Sequence, residues 1–392
     1  MRVDLILLCF AYVLSQFYRA FLAVLTEVLE RDVSASPEDL ATASGLWFLA
    51  FAAMQIPVGW ALDRIGPRRT ASALLLLGGG GGAAIFAMAS APAHISIAML
   101  LLGVGCSPVL MASYYIFARV YRPSVFATLA AVILGVGSVG NLASALPMTL
   151  AVEAFGWRQV VWAMAAISAV TALGLWRLVR DPEPVEGEAK GSVLELLRMP
   201  ALWLIFPLMF FHYAPAAGAR GLWIGPYFRD VFGAADGLVG VVTLIMGAAM
   251  IAGTFAYGPL DRLLGTRKWV IFGGNIASVV ACLWLGLFSI QSLWLAVAIF
   301  AAIGFFGASF PMMMAHGRAF YPAHLVGRGV TLMNLFGIGG VGLMQMVTGR
   351  LYAAQAETAQ AAPEPYQALF IFYGVLVALG LVIYLFARDR TD

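Results

Sequence analysis

Apolar residues run in long unbroken stretches, without the alternation or one-sided helical faces of a water-soluble chain. Stretches long enough to cross a bilayer begin near Leu5, Ala41, Thr70, Ile95, Val125 and Val160. Six more begin near Pro200, Leu238, Trp269, Leu293, Gly329 and Ala368. A helix needs about 20 mostly apolar residues to cover about 30 Å of hydrocarbon, so the pattern predicts twelve membrane-spanning helices. They divide six and six around a polar stretch from Arg177 to Arg198, the longest charged run in the chain. The expected organisation is an N-terminal six-helix half over residues 1–178, a linker over 179–199 and a C-terminal half over 200–392. Ser192 and Glu195 have the spacing of a helix capping box, which predicts a short amphipathic helix on the membrane surface before the seventh span. The first run has only Arg2 ahead of it, lacks a clear small-x-small cleavage site and carries Arg19 inside it. It reads as a retained span and not as a signal peptide.

Composition removes the alternatives. The 392 residues are 62% hydrophobic and 11% charged, with a mean hydropathy of +0.91. A soluble domain carries about 25% charged residues; this chain has too few to cover a water-facing surface. Disorder and coiled coil fail on the same count, and a net charge of +3 makes no basic patch for nucleic acid. Cys9, Cys106 and Cys282 lie far apart in apolar stretches and read as small buried hydrophobes. With the N-terminus inside, seventeen Lys and Arg fall in inner segments and four, Arg31, Arg158, Arg229 and Arg350, in outer loops. That asymmetry predicts both termini in the cytoplasm.

One short motif occurs twice. The loop after the second span reads Gly59-Trp-Ala-Leu62-Asp63-Arg64-Ile-Gly66-Pro67-Arg68-Arg69, and the loop after the eighth reads Gly258-Pro-Leu260-Asp261-Arg262-Leu-Leu-Gly265-Thr-Arg267-Lys268. The two Leu-Asp-Arg cores lie half a chain apart, as expected of two parallel six-helix repeats. Gly59 and Gly258 suit close helix approach, the Asp can accept backbone N–H groups or pair with a neighbouring Arg, and Gly66 and Gly265 permit a tight turn. The basic pair that follows suits inner-leaflet phosphates.

On these loops the chain resembles the major facilitator superfamily, whose pattern is G-x-x-x-D-R-x-G-R-R/K. The first copy departs from it by Pro67; the second is one residue shorter before its Asp and one longer after it. The resemblance implies an all-α fold of twelve helices in two pseudo-symmetric halves, working by alternating access. It also implies that Asp63 pairs with Arg119 or Arg122 and braces one state against the region of Arg328. A weaker similarity, carried by Ser15-Gln16-Phe-Tyr18-Arg19 and Arg220-Gly-Leu-Trp223-Ile-Gly-Pro226, is to a bacterial branch of copper importers of the CcoA type and riboflavin importers. The fifth span, Gly135-Val-Gly137-Ser-Val-Gly140-Asn141 followed by Pro147, lacks the Gly-x-x-x-Gly-Pro run that drug exporters of the superfamily carry.

An ionisable residue inside a span is a functional candidate, since placing it in hydrocarbon costs at least about 2.5 kcal/mol. Arg19 in the first span and Arg220 in the seventh stand out. Neither has a carboxylate three or four residues away on its own helix, so the pair could attract an anion, for which a guanidinium offers bidentate capture. The bland alternative is snorkelling to the interface. Gln16, Tyr18, Tyr114, Tyr115, Asn141, His212, Trp223 and Asn334 are further candidates for substrate contact, and His212 could titrate in proton coupling. Met246 with Met250, and Met312 with His316, are weak candidates for a metal, since thioether and imidazole suit Cu(I). The run Gly78 to Gly82 lacks the Lys-Ser/Thr of a phosphate loop and reads as helix packing.

No catalytic constellation, cofactor motif or nucleotide-binding domain appears, which leaves secondary transport. The leading expectation is uptake of a small polar or anionic organic solute across a bacterial inner membrane, by a monomer, with a proton or another ion coupled. Import of copper or riboflavin and proton-coupled drug efflux are the alternatives.

Overall fold

The computed structural model describes residues 3–121, 123–182, 193–322 and 325–391. Arg2, Arg122, Lys190 and Ser192 lie outside these residues, and with them one possible partner of Asp63 and the expected capping box of the linker. The short helix expected after that box is present as Val193–Leu197. Among the described residues every regular element is helical. The chain divides into two compact units, Met1–Glu188 and Ala189–Asp392.

Among the described residues, eight helices are long and apolar enough to cross a membrane unaided: Pro67–Ala87, Pro92–Val120, Trp157–Leu178, Asp236–Leu264, Lys268–Leu287, Leu293–Arg318, Arg328–Ala356 and Glu364–Tyr384. Two more spans are bent pairs, Pro37–Ala53 with Gln55–Arg64 at 40° and Val132–Ala143 with Leu146–Phe155 at 44°. The second bend is one that Pro147 explains, because proline removes a helix hydrogen bond and clashes with the preceding turn. The remaining two predicted spans, the first and the seventh, are each broken into short pieces. The first runs as Val3–Tyr18, a 3-10 turn Phe21–Val24 and Thr26–Val33. The seventh runs as Pro200–Trp203, Phe206–Phe211, Ala214–Gly218, a π-helical turn Ala219–Trp223 and Ile224–Phe232. Pro207, Pro215 and Pro226 account for much of the fragmentation of the seventh.

The first span contains no proline between Val3 and Val33, and its break follows from tertiary commitments instead. The Tyr18 hydroxyl shares a 2.9 Å hydrogen bond with Ser168 of the sixth span. Phe21 packs on Phe86 of the third, ring centroids 5.2 Å apart. Arg19, between them, turns toward the second span. Residues this close along the chain reach three neighbours by leaving the regular helix.

Glycine brings the backbones together at corresponding places in the two halves. In the N-terminal half, a Cβ on Gly137 would run into the Tyr12 ring and one on Gly140 into the Val13 carbonyl. In the C-terminal half, Gly337 is held in the same way against Met209 and Gly340 against the Phe210 carbonyl. Gly78 likewise meets the backbone of Leu101 and Gly105, so the five-glycine run is a packing surface between the third and fourth spans.

Each half also ties the segment after its last span to the start of its third. After the sixth span, Asp181 accepts the Arg68 backbone N–H at 2.7 Å and lies 3.4 Å from Arg68 Nε. After the twelfth, Asp389 accepts the backbone N–H groups of Lys268 at 3.0 Å and Arg267 at 3.2 Å, and the Thr266 hydroxyl. Both carboxylates sit where a helix N-terminus presents unpaired donors. Burial alone would raise the pKa of Asp389, but these donors outweigh it and hold the carboxyl below its ordinary value.

Two predictions follow from these contacts. Gly140→Ala should lower the melting temperature of the purified protein, by overpacking worth about 1–3 kcal/mol, whereas Gly135→Ala, whose Cβ meets nothing within 4 Å, should melt as the parent does. Equal melting of the two variants would refute the packing assignment. For Asp389, a depressed pKa means stability that is present above the unfolded-state value of about 3.9 and lost as pH falls through the lower folded-state value. Asp389→Asn should therefore melt earlier than the parent at pH 7, with the gap closing below about pH 4; a pH-independent gap would contradict the assignment.

Candidate functional site

Arg19 occupies the turn at which the first span breaks. Its guanidinium carbon lies 5.4 Å from the centroid of the Trp47 ring and 5.7 Å from that of Phe51, both on the second span. Trp47 and Phe51 are one helical turn apart and stack with centroids at 5.3 Å and 18° between planes. A cation over aromatic faces at this range is attracted by the ring quadrupole. Arg19 Nε is buried and has no hydrogen-bond partner among the described residues, and the same holds for Trp47 Nε1. Trp47 is fully buried, and Gly103 of the fourth span packs against its carbonyl. The arrangement offers donors and a positive charge, and no carboxylate pairs with Arg19 among the described residues.

The other candidates of the N-terminal half are distributed more widely. Asn141 Nδ2 donates to Gln16 Oε1 at 3.0 Å, linking the fifth span to the first. Tyr18 is spent on Ser168 in a helix–helix contact. Tyr115 lies under the Arg119 guanidinium, 3.6 Å from its carbon, and Tyr114 packs against the apolar core of the half.

In the C-terminal half Arg220 sits in the π-helical turn of the seventh span, 3% exposed. It packs on the second helix of its half, since a Cβ on Gly247 would come within 3.0 Å of its Nε. Arg19 and Arg220 are nonetheless not equivalent in register: the glycine contacts match Tyr12 and Val13 with Met209 and Phe210, which places Ala216 opposite Arg19. His212 is fully buried at the break between Phe211 and Ala214, and its Nδ1 faces the carbonyls of Leu208 at 3.1 Å and Met209 at 3.2 Å. Nδ1 is then the protonated nitrogen, and Nε2 is left without a hydrogen-bond partner among the described residues. Trp223 Nε1 donates to Thr348 Oγ1 at 3.1 Å, a packing role, and Asn334 is half-buried on Val326–Ala356.

The weak metal candidates are occupied otherwise. His316 uses both ring nitrogens, Nδ1 with the Tyr384 hydroxyl at 2.7 Å and Nε2 with the Arg388 carbonyl at 3.0 Å. Met246 and Met250 pack around Gly304 of the tenth span, and Met312 is buried in the apolar core.

The repeated loops hold their turns as expected, with Gly66 at φ +98° and Gly265 at φ +65°, a region only glycine enters at low cost. Other expectations need correcting. A Cβ on Gly59 or Gly258 would meet nothing within 4 Å, so neither holds a close helix approach among the described residues. Arg68, Arg267 and Lys268 are engaged within their own half. Arg68 pairs with Asp181, Arg267 Nε donates to Asp261 Oδ2 at 3.0 Å, and Lys268 Nζ donates to the Leu385 carbonyl at 2.7 Å. Arg64, Arg69 and Arg262 remain exposed, as does Asp63. Sequence reasoning missed Trp47, Phe51, Asp181 and Asp389. Nothing local marks the first two, while the Arg-Asp pairs Arg180-Asp181 and Arg388-Asp389, one after each half, were a visible signal for the others.

The model of the Major Facilitator Superfamily matches residues 8–222 and again 216–392. No curated protein matches the chain. A bacterial homologue of the human lysosomal transporter Spinster, inward-facing and unoccupied, superposes with a TM-score of 0.79 at 18% identity, covering 98% of this chain and 96% of its own. A D-xylose–proton symporter gives a TM-score of 0.79 at 14% identity, covering 100% and 98%. The nucleoside transporter NupG gives 0.76 at 14% identity, covering 98% and 99%. At such identities the likeness is one of fold. The family match spans both repeats, and with it the chain belongs to the Major Facilitator Superfamily, a multi-pass secondary transporter and not an enzyme.

Proposed function

We propose that this protein takes up a small organic anion across a bacterial inner membrane by alternating access, with both termini in the cytoplasm. The observation that carries the reading is Arg19: a cation inside a span, set at a helix break over two aromatic rings, with a buried Nε and no carboxylate partner among the described residues. A charge held this way in a low-dielectric surround attracts an anion strongly. The orientation is supported by the excess of Lys and Arg in the segments assigned to the cytoplasm. Alternating access is supported by the two matched halves, each with its own Leu-Asp-Arg loop. Import of copper is disfavoured by the engagement of both His316 nitrogens.

Uptake into proteoliposomes tests the anion site. Arg19→Gln should weaken substrate affinity by about 1.5–3 kcal/mol, roughly ten- to a hundredfold, and Arg19→Lys should fall in between because it keeps the charge and loses the fork. A folded Arg19→Gln protein with parental affinity would reject the reading. Alternating access has a separate test at the first loop, where Asp63→Asn should slow flux at least tenfold, the order of a 1.4 kcal/mol penalty on switching, while leaving equilibrium binding near the parental value. Undiminished flux would remove Asp63 from the switching step.

A further inference from the structure

We infer that Trp47 supplies the second hydrogen-bond donor of the Arg19 site, and that the site takes a small monocarboxylate with an apolar body. This rests on the anion reading of Arg19 given above. Two donors in one place, Arg19 Nε and Trp47 Nε1, are buried with no acceptor among the described residues. An indole N–H is a donor only, and burying it unpaired carries the desolvation penalty of a polar group. One such orphan is an isolated cost. Two of them on neighbouring groups, the guanidinium carbon 5.4 Å from the indole ring centroid, are what one acceptor from outside the chain would satisfy together.

The chemistry of the acceptor follows from what surrounds it. The site holds one formal charge, so a monoanion balances it and a dianion leaves a charge uncompensated in hydrocarbon. A carboxylate has two oxygens with lone pairs in one plane, enough to take the planar fork of Arg19 and the indole N–H together. The rings beside the guanidinium are Trp47 and Phe51, stacked on each other. Such rings suit an alkyl or aryl body and offer little to a polyhydroxylated one. Trp47 itself is held in register by two features: Gly103 lies against its carbonyl, and Phe51 stacks on its ring. The donor is therefore fixed before anything binds, which limits the ordering cost of binding.

The experiment uses the full chain in detergent and measures binding of benzoate, hexanoate, inorganic phosphate and the neutral benzyl alcohol by calorimetry. Trp47→Phe keeps a ring and removes the N–H. It should weaken benzoate and hexanoate roughly tenfold, Arg19→Gln should weaken them further, and benzyl alcohol should not distinguish the variants. If Arg19→Gln weakens the carboxylates and a folded Trp47→Phe does not, the second-donor assignment is overturned while the anion reading stands. If Arg19→Gln binds as the parent does, the anion reading falls and this inference with it. Phosphate bound more tightly than both carboxylates, or no carboxylate bound at millimolar concentration by the parent, overturns the substrate class. An indole-selective NMR titration of the parent protects the test against a Trp47→Phe chain that fails to fold. The Nε1–H resonance of Trp47 should move downfield as benzoate is added and stay in place with benzyl alcohol; an unmoved resonance at saturating benzoate overturns the assignment.

Discussion

Hydrocarbon offers a helix no gain for burying apolar side chains against another helix, because lipid tails are as apolar as leucine. Association within each half must come from close backbone contact, and close contact requires the absence of a side chain. The pairs Gly137 with Gly140 and Gly337 with Gly340 meet that requirement one turn apart on the fifth and eleventh spans, each against the first helix of its half. The third and fourth spans do the same through Gly78 and Gly105. Where the backbones touch, the register of the first and seventh spans is fixed to within a residue. That register decides which of their side chains face a neighbour and which are left with none.

The consequence is visible at the helix breaks. A membrane tolerates interrupted helix only where the freed groups are buried in protein or line a polar space, and the described residues show the two fragmented spans to be the first and the seventh. Arg19 lies at a break of the first, and His212 and Arg220 lie at breaks of the seventh. The polar groups that are satisfied, such as Tyr18 on Ser168 or Trp223 on Thr348, stitch helices together. Among those that are not are Arg19 Nε, Trp47 Nε1 and His212 Nε2.

The architecture was nearly all legible in the sequence, because its controlling signal is a long-range one. Runs of about 20 apolar residues and a repeated Leu-Asp-Arg loop survive without knowledge of any contact. The predicted starts of the spans fall within a few residues of the observed helices. The breaks were half legible: Pro207, Pro215 and Pro226 foreshadow those of the seventh span, while that of the first depends on Tyr18, Arg19 and Phe21 each engaging a different helix, which no local pattern encodes. Arg19 was recognisable from the cost of its charge. Its aromatic seat on Trp47 and Phe51 was not, since a Trp and a Phe four residues apart are ordinary in an apolar helix until the opposing cation is placed. The loop arginines were misjudged for the converse reason. Positive charge beside a membrane predicts side of the bilayer well and individual partners poorly, and Arg68 and Lys268 turned out to serve their own half.

Fold and substrate are encoded at different scales here. Chains 14–18% identical share this architecture with TM-scores of 0.76–0.79, so the fold tolerates replacement of most side chains. A sugar and a nucleoside place unlike demands on a site, yet the symporter and the nucleoside transporter share one arrangement of helices. The information must then reside in the few polar groups the packing does not consume. In the N-terminal half Arg19 Nε and Trp47 Nε1 are two of them, both donors, beside aromatic rings and without an acid paired to Arg19 among the described residues. Donors alone, in a medium that penalises an unpaired charge, select for an acceptor that carries the opposite one.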